Sequence, residues 1–400
     1  MNRSHGEPRC GGSKRALHII HVAANGPSRN GAIPGPLNVA LGQARELGNR
    51  GHVVEVFTTG TSSNSAKENA TLEGVRTRRF PFFNIPLARG SGIVSPALTF
   101  ALARRMRQVD LVHVHAGRDF VSLPAMVLCW VTGTPYVTQT HGMVLKGDHP
   151  AKRVVDKFLL RPLMVRARRN YALQTTEYND LLTVGIPATN IRILENGLAT
   201  PTLPAWRANS PPVVLFASRL HPAKRVMAFA AMAQILLNGS TKATYHVMGA
   251  DAGDLRKLER FLSNMTVSDR PVYMGERSHQ ETLEAFAGAT VYVHPSDYDP
   301  FPMSLVEALA VGTPTVCTRA CGIADLLIEA DAGIVTGREP RDLARSVASV
   351  IEDPVLQRQL SDKGRQLVAG RLSIEKTVGQ LERDYLALAA GSRSVREGIR

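Results

Sequence analysis

Cysteine is scarce. The 400 residues hold four, Cys10, Cys129, Cys317 and Cys321, with no CxxC pair among them. That spacing argues against a disulfide scaffold or a cysteine zinc site and suits a reducing compartment. Long apolar runs are also missing. The best, VSLPAMVLCWV, is about half of the roughly 20 residues a membrane-spanning helix needs, and Pro124 interrupts it. The opening MNRSHGEPRCGGSKRALHIIHVAA has a short apolar core with two histidines and leads into a glycine-rich loop. It reads as a disordered tail (1–14) before a first strand, not as a signal peptide. Acids are few in one half only. Residues 1–200 hold 25 Lys and Arg against 12 Asp and Glu, so they carry +13 of the net charge of +14. Seven arginines and no acid lie between Gly74 and Val109. A one-sided field of this kind suits an anionic partner (membrane, nucleic acid or acidic substrate); the plain alternative is a well-solvated surface.

The length favours two domains. Short β-rich runs alternate with helical patterns: ALHIIHVA, HVVEVFTT, LVHVH, PYVTQTH and YALQTT in the first half. GPLNVALGQARELGNRG lies among them as a helix stopped by Gly51. The Pro-rich stretch TPTLPAWRANSPP (200–212) reads as a linker. The alternation then restarts with PVVLFAS, ATYHVMG, PVYMG, ATVYVHPS and TPTVCT. The pattern predicts an α/β chain of two Rossmann-like domains, 15–199 and 213–372, followed by a last helix, 373–391. Ligands of such sheets sit beyond the carboxyl ends of strands, so the cleft between the domains is the expected site.

Chemistry-bearing residues gather at those ends. In HPSDYDPFPMSLVEALAVGTPTV a strand exits through Asp299-Pro300-Phe301-Pro302 into a helix that stops at Gly312. The amides near Met303, Ser304 and Leu305 would favour a phosphate. Glu307, one turn further in, can accept both hydroxyls of a ribose, and Asp299 can reach a sugar. The bland alternative is a solvent face of Ser304, Glu307 and Val311. VVLFASRLHPAKR places Arg219 and Lys224 after another strand, where two cations could clamp a diphosphate. Gly249, in YHVMGADAGD, could let a base or phosphate approach the backbone. Asp297 and Asp299 also form an Asp-x-Asp, a spacing that can hold a divalent metal. With Arg219 and Lys224 nearby, we read that spacing as coincidence.

Together these motifs resemble the family-four retaining glycosyltransferases, which have two Rossmann-like domains facing across a cleft (the GT-B fold). The resemblance covers nearly the whole chain and is most specific from Leu215 to Ala324. In that family SRL…K binds the donor phosphates, matched here by Arg219 and Lys224. An acid, seven residues and a glutamate touch the transferred sugar and the ribose, matched by Asp299 and Glu307. Members usually carry Glu-Gly-Phe-Gly at the first acid, where this chain has Asp-Pro-Phe-Pro. ILENGL replaces the usual proline before Asn196-Gly197 with Glu195. VTQTHGMV puts His141 where the family often has a histidine facing the sugar; His113 and His115 also lie near a strand exit.

The resemblance implies catalytic roles for Asp299, Glu307, Arg219, Lys224 and His141. It implies donor contacts from Arg219, Lys224, Gly249 and Glu307 and from Phe301, Pro302, Met303, Ser304 and Leu305. RNGAIPGPLNVA resembles a glycine-rich loop entering the first helix, and Gly31, Asn38 and His141 form the acceptor side. No cofactor and no metal are expected, and no nucleic acid partner. The donor is a nucleotide-diphosphate sugar and the acceptor a glycan or lipid-linked hydroxyl. The expected location is cytoplasmic, with peripheral contact to anionic membrane through the first domain. For that contact SPALTFALARRMRQ offers a helix capped by Ser95, with Phe100 and leucines near Arg104, Arg105 and Arg107. Two rivals remain open at this point. A nucleotide-sugar 2-epimerase of similar fold would turn over donor without acceptor. A non-catalytic module for anionic polymers would not respond to nucleotide diphosphates.

Overall fold

The computed structural model describes residues 15–24, 26, 33–60, 70–85, 92–144, 154–199, 203–239, 241–266 and 269–397. The expected tail and Gly31 lie outside them.

The first half builds β1 (His18–Ala23), β2 (Val53–Thr59), β3 (Ala70–Leu72), β4 (Val75–Phe80), a small hairpin of β5 (Phe83–Asn84) and β6 (Ile93–Val94), β7 (Leu111–His115), β8 (Tyr136–Gln139), β9 (Arg169–Ala172) and β10 (Ile191–Ile193). Eight of these form one sheet in the order β10-β9-β8-β7-β1-β2-β4-β3, parallel except for the β3–β4 pair. The second half builds β11 (Val213–Ala217), β12 (Thr244–Met248), β13 (Val272–Tyr273), β14 (Val291–His294), β15 (Thr315–Thr318) and β16 (Ile334–Thr336). They form a parallel sheet in the order β13-β12-β11-β14-β15-β16. In both sheets the chain reverses direction around the first strand, which opens a crevice at the strands' carboxyl ends.

The helices of the first half are α1 (Gly35–Asn49), α2 (Pro96–Arg105), α3 (Ser122–Thr132), α4 (Arg161–Arg166) and α5 (Thr175–Val184). A π-helical turn, Asp156–Leu160, leads into α4. The second half adds α6 (Val226–Leu237), α7 (Leu255–Ser263), α8 (His279–Ala287), α9 (Met303–Val311), α10 (Ala324–Glu329), α11 (Pro340–Glu352) and α12 (Pro354–Gly370). The last helix, α13 (Ile374–Glu397), returns to the first sheet. Its Ile374, Val378, Leu381 and Tyr385 share a core with Leu17, Ile19 and Leu111. No helix among the described residues is long and apolar enough to cross a membrane.

Two readings of the sequence are corrected here. YALQTT is not strand throughout. β9 ends at Ala172, and the Gln174 side chain accepts from the Thr176 amide at 2.7 Å to start α5. The stretch read as a linker is not loose from Leu203 onward. Leu203 and Trp206 pack into the second half's core, and the Trp206 indole donates to the Ala289 carbonyl at 2.7 Å.

The two crossings between halves run side by side. The Leu198 amide donates to Leu372 O (2.8 Å), and the Ile374 amide donates to Leu198 O (3.0 Å). Gly197 is required there, because a Cβ would meet the Ile374 Cα at 2.6 Å. Glu195 binds the Arg371 guanidinium through both oxygens, at 3.0 and 3.1 Å from Nε. The residue that stands in place of a proline therefore pins one crossing to the other.

Candidate active site

A cleft of about 950 Å³ lies between the halves. Asn38 of α1 lines it from the first half, and Met303, Glu307, Ser278 and His279 line it from the second. α9 forms as its sequence dictates: Pro302 is extended and precedes the first turn, and Gly312 closes the helix at φ +96°. Leu305, Leu309 and Val311 turn into the core. Val311 is thus buried, and the solvent-face reading of Ser304, Glu307 and Val311 fails. Glu307 is half-buried at the cleft wall, and desolvation raises its pKa to about 7. His279 Nδ1 lies 3.8 Å from the Glu307 Oε1.

Asp299 sits in a different setting. Its Oδ2 accepts from the Lys224 ammonium and lies 3.2 Å from His294 Nε2. Burial alone would raise its pKa, but His294 and Lys224 hold it below the usual carboxylate value. His294 Nδ1 meets Tyr292 Oη at 3.1 Å, and Tyr292 Oη meets Ser304 Oγ at 3.0 Å. Hydrogen bonds thus run from Ser304 of α9 through Tyr292 to His294, whose other nitrogen lies against the Asp299–Lys224 pair. Tyr292 and His294 were missed from sequence. Their signal was present, since both point to the same face of a strand that ends at the site.

Arg219 is exposed and has no ion pair among the described residues. Asp297 is held by Arg225 at 3.3 Å and Arg338 at 3.0 Å. Both acids of the Asp-x-Asp therefore face cations.

Several expected donor contacts prove to be packing residues. Phe301 and Leu305 are buried in the core, and Pro302 is buried too. The Leu305 amide already donates to Pro302 O at 3.0 Å, whereas no acceptor faces the Met303 and Ser304 amides among the described residues. Gly249 is glycine for a neighbour in the chain: at φ +139° a Cβ would collide with the Ser218 carbonyl. Its amide donates to Gly275 O (3.0 Å) and its carbonyl accepts from Tyr273 (2.9 Å), so neither group is left for a ligand.

On the first half, His141 occupies a left-handed turn (φ +51°) after β8. The buried Glu177 carboxylate fixes this turn, accepting from Thr140 Oγ1 and the Gly142 amide at 2.5 Å each. Tyr298 Oη donates to Gly142 O at 3.1 Å, so the two halves touch beside Asp299. His141 Nε2 lies 2.8 Å from His115 Nδ1, and His115 Nε2 lies 3.0 Å from His21 Nδ1. Burial depresses His21 and His141 to pKa values of about 3 and holds His113 and His115 well below normal, so all four are neutral.

β1–β7 pairing sets His21 opposite His113, and the ligand atoms of His21, His113 and His115 lie within 4.8 Å of one another. They do not make an ion cradle. The His113 and His115 rings stack at 4.5 Å with planes 11° apart, so their in-plane lone pairs lie in separate, nearly parallel planes and do not meet at one ion. His115 also has both nitrogens engaged. At the inner end, His21 Nε2 is buried without a partner. A partnerless lone pair costs less than a partnerless N–H. The proton is therefore assigned to His21 Nδ1, then to His115 Nδ1, and finally to His141 Nδ1.

The comparisons agree with this geometry. Residues 35–200 match the family described as Glycosyltransferase Family 4, and residues 205–367 match Glycosyl transferases group 1. The chain is 26% identical over 363 residues to the D-inositol 3-phosphate glycosyltransferase of Acidothermus cellulolyticus, covering 82% of this chain and 80% of that enzyme. It is 29% identical over 186 residues to the enzyme of that name from Geodermatophilus obscurus, covering 44% and 40%. Among solved structures it resembles Anabaena HepE in complex with UDP-glucose, with a TM-score of 0.71, 17% identity, and 92% and 98% of the two chains covered. Two family matches that together span both halves, on two facing α/β units, place the chain among the family-four glycosyltransferases of GT-B fold.

Proposed function

We propose that the protein is a retaining glycosyltransferase that moves a hexose-like sugar from a nucleotide-diphosphate sugar to an acceptor hydroxyl, in cell-surface glycan or glycolipid synthesis. Glu307 carries the reading: a half-buried carboxylate with a raised pKa on the first turns of α9, facing a cleft to which the other half contributes Asn38. Its two oxygens accept the ribose hydroxyls. The Met303 and Ser304 amides face the phosphates. Arg219 and Lys224 offset the charge that grows on the departing diphosphate. The acceptor oxygen attacks the anomeric carbon on the face from which the diphosphate leaves. The carbon–oxygen bond to phosphate breaks toward the diphosphate, which takes the acceptor's proton, and no protein nucleophile takes part. His141, as an N–H donor, and Asp299, through its second oxygen, contact the sugar. The UDP-glucose bound by HepE supports a nucleotide-diphosphate donor. The acceptor is a glycan or lipid-linked hydroxyl met at the cytoplasmic side.

A screen of nucleotide-sugars for slow hydrolysis tests the reading, with the anomer of the transfer product read by NMR. Release of an epimerised free sugar without transfer, or an inverted product, would overturn it. Because Asp297 and Asp299 already face cations, turnover is expected to survive EDTA. Loss on chelation, restored by magnesium or manganese, would return the pair to a metal role.

A further inference from the structure

Helices α2, α3 and α4 lie side by side over one face of the larger sheet. Their outer surface is unusually apolar. On the turns leading into α4, Val154, Val155, Phe158 and Leu159 are all exposed, Phe158 by 69%. At the end of α3, Trp130 and Val131 are exposed by 51% and 73%. The register of these turns is fixed from inside, where Asp156, Leu160, Leu163 and Met164 are buried. Phe158 and Leu159 therefore have no inward position to fall back to. A merely solvated helix face does not gather large apolar side chains in this way.

The charges on this face have one sign. From Val154 to Arg169 the cations are Lys157, Arg161, Arg166, Arg168 and Arg169. The one acid in that span, Asp156, is turned inward onto the Arg118 guanidinium at 2.6 and 2.9 Å. Cations also lie over the exposed rings: Lys157 over Phe158 at 5.4 Å and Arg166 over Trp130 at 4.4 Å. Rings of this kind enter the boundary between headgroups and acyl chains while the adjacent cations reach the phosphates. α2, which the sequence singled out, offers less. Its Phe100 is exposed with Arg104 over the ring at 4.2 Å, but Leu98 and Leu102 are buried and Arg105 is turned toward Glu55 at 3.8 Å, so it adds one ring to the edge of this face.

We propose that this face docks on an anionic lipid bilayer, with Phe158, Leu159 and Trp130 inserted and Lys157, Arg161 and Arg166 on the phosphates. A second copy of the chain fits poorly, because a symmetric contact would press like charges together. The inference does not depend on the donor chemistry. It does orient the cleft: Arg118, which holds Asp156, also donates to Met143 O at 3.0 Å, two residues from His141.

The test is flotation of the full-length protein with vesicles of mixed phosphatidylcholine and phosphatidylglycerol, at low and high salt, against pure phosphatidylcholine. The wild type should float with the mixed vesicles at low salt and not with the neutral ones. Phe158→Glu and Trp130→Glu should lower the bound fraction about ten-fold or more, and Arg104→Glu with Arg107→Glu should lower it less. UDP thermal shifts should be the same in all of these proteins, which separates a lost surface from a lost fold and from failure of the donor reading. Two results overturn the proposal: a wild type indifferent to the mixed vesicles, or a Phe158→Glu/Trp130→Glu variant that still floats. Concentration-dependent dimerisation abolished by Phe158→Glu would give the face to a second copy instead.

Discussion

At the residue scale, two carboxylates with seven residues between them have opposite electrostatics for stated reasons. Asp299 has Lys224 and His294 against it and stays ionised. Glu307 has desolvation as the cause of its shift, with no cation among the described residues to oppose it, and its pKa rises to about 7. If the ionised form of Glu307 holds the ribose, UDP affinity should fall as pH drops below about 7, by up to ten-fold per unit for one proton. His279 lies 3.8 Å from Glu307; if the slope belongs to the carboxylate, His279→Gln should keep it. Glu307→Gln should remove the slope and weaken UDP by about 1–3 kcal/mol at high pH. Calorimetric titrations of UDP across pH decide this; an identical slope in wild type and Glu307→Gln would assign the titration to the nucleotide alone. The histidine chain gives a second check. Nitrogen-15 shifts of labelled protein should show His141 as the neutral Nδ1–H form, and His115→Phe, which removes the fixed partner, should mix the two tautomers. A pure Nε2–H form in the wild type would reverse the assigned chain.

At the element scale, the loop after β11 separates two cations that the sequence made equivalent. Arg219 is exposed, whereas Lys224 is an ion-pair partner inside a buried network. Arg219→Ala should cost about 3 kcal/mol in the transition state, as for other preorganised charge partners, and leave the melting temperature unchanged. Lys224→Ala should lower turnover and also destabilise the fold by about 3 kcal/mol, because Asp299 loses its buried counter-charge. Asp299 has a depressed folded pKa, so its contribution is present above its unfolded pKa and fades as pH falls through the folded value. Calorimetric melting of the two variants at neutral and acid pH reads the difference; equal melting temperatures would show that the pair contributes nothing.

Much of this element geometry was legible. The Val- and Ile-rich strands, the Pro302-to-Gly312 limits of α9 and the Ser95 cap of α2 all follow from local chemistry. Pairings distant in sequence were not legible. Nothing near Gly249 announces Ser218 pressing on it, and nothing near Phe301 distinguishes a core ring from one that covers a base. The arginine-rich run was partly misread for the same reason. Arg76, Arg78 and Arg105 converge on the buried Glu55, within 4.0 Å, and balance an interior charge as well as an outer field.

At the scale of the whole molecule, the halves meet in two places of different kind. The paired crossings at Leu198 and Ile374, pinned by Glu195 and Arg371, lie at one end of the cleft. The second contact sets the His141–Gly142 turn against Tyr298 and Pro300, where the family resemblance leads one to expect glycine. Gly142 has φ +71°, and a Cβ on it would collide with the Pro300 ring. The two residues thus fit only as a pair, a small one on the first half and a ring on the second. Glu177 holds the turn from behind, so Gly142 cannot retreat. Gly142→Ala should therefore hold the halves apart at this contact, leaving the crossings to act as a hinge. UDP affinity should change little, because its expected contacts lie on the second half, whereas turnover should fall by ten-fold or more, since about 1 Å of misplacement between reacting groups costs up to a hundred-fold. Pro300→Gly in the Gly142→Ala background opens the space again and should restore part of the loss. Small-angle scattering with UDP bound should show a larger radius of gyration in Gly142→Ala than in the wild type. Unchanged turnover in Gly142→Ala would mean that the contact does not set the working distance between acceptor and donor.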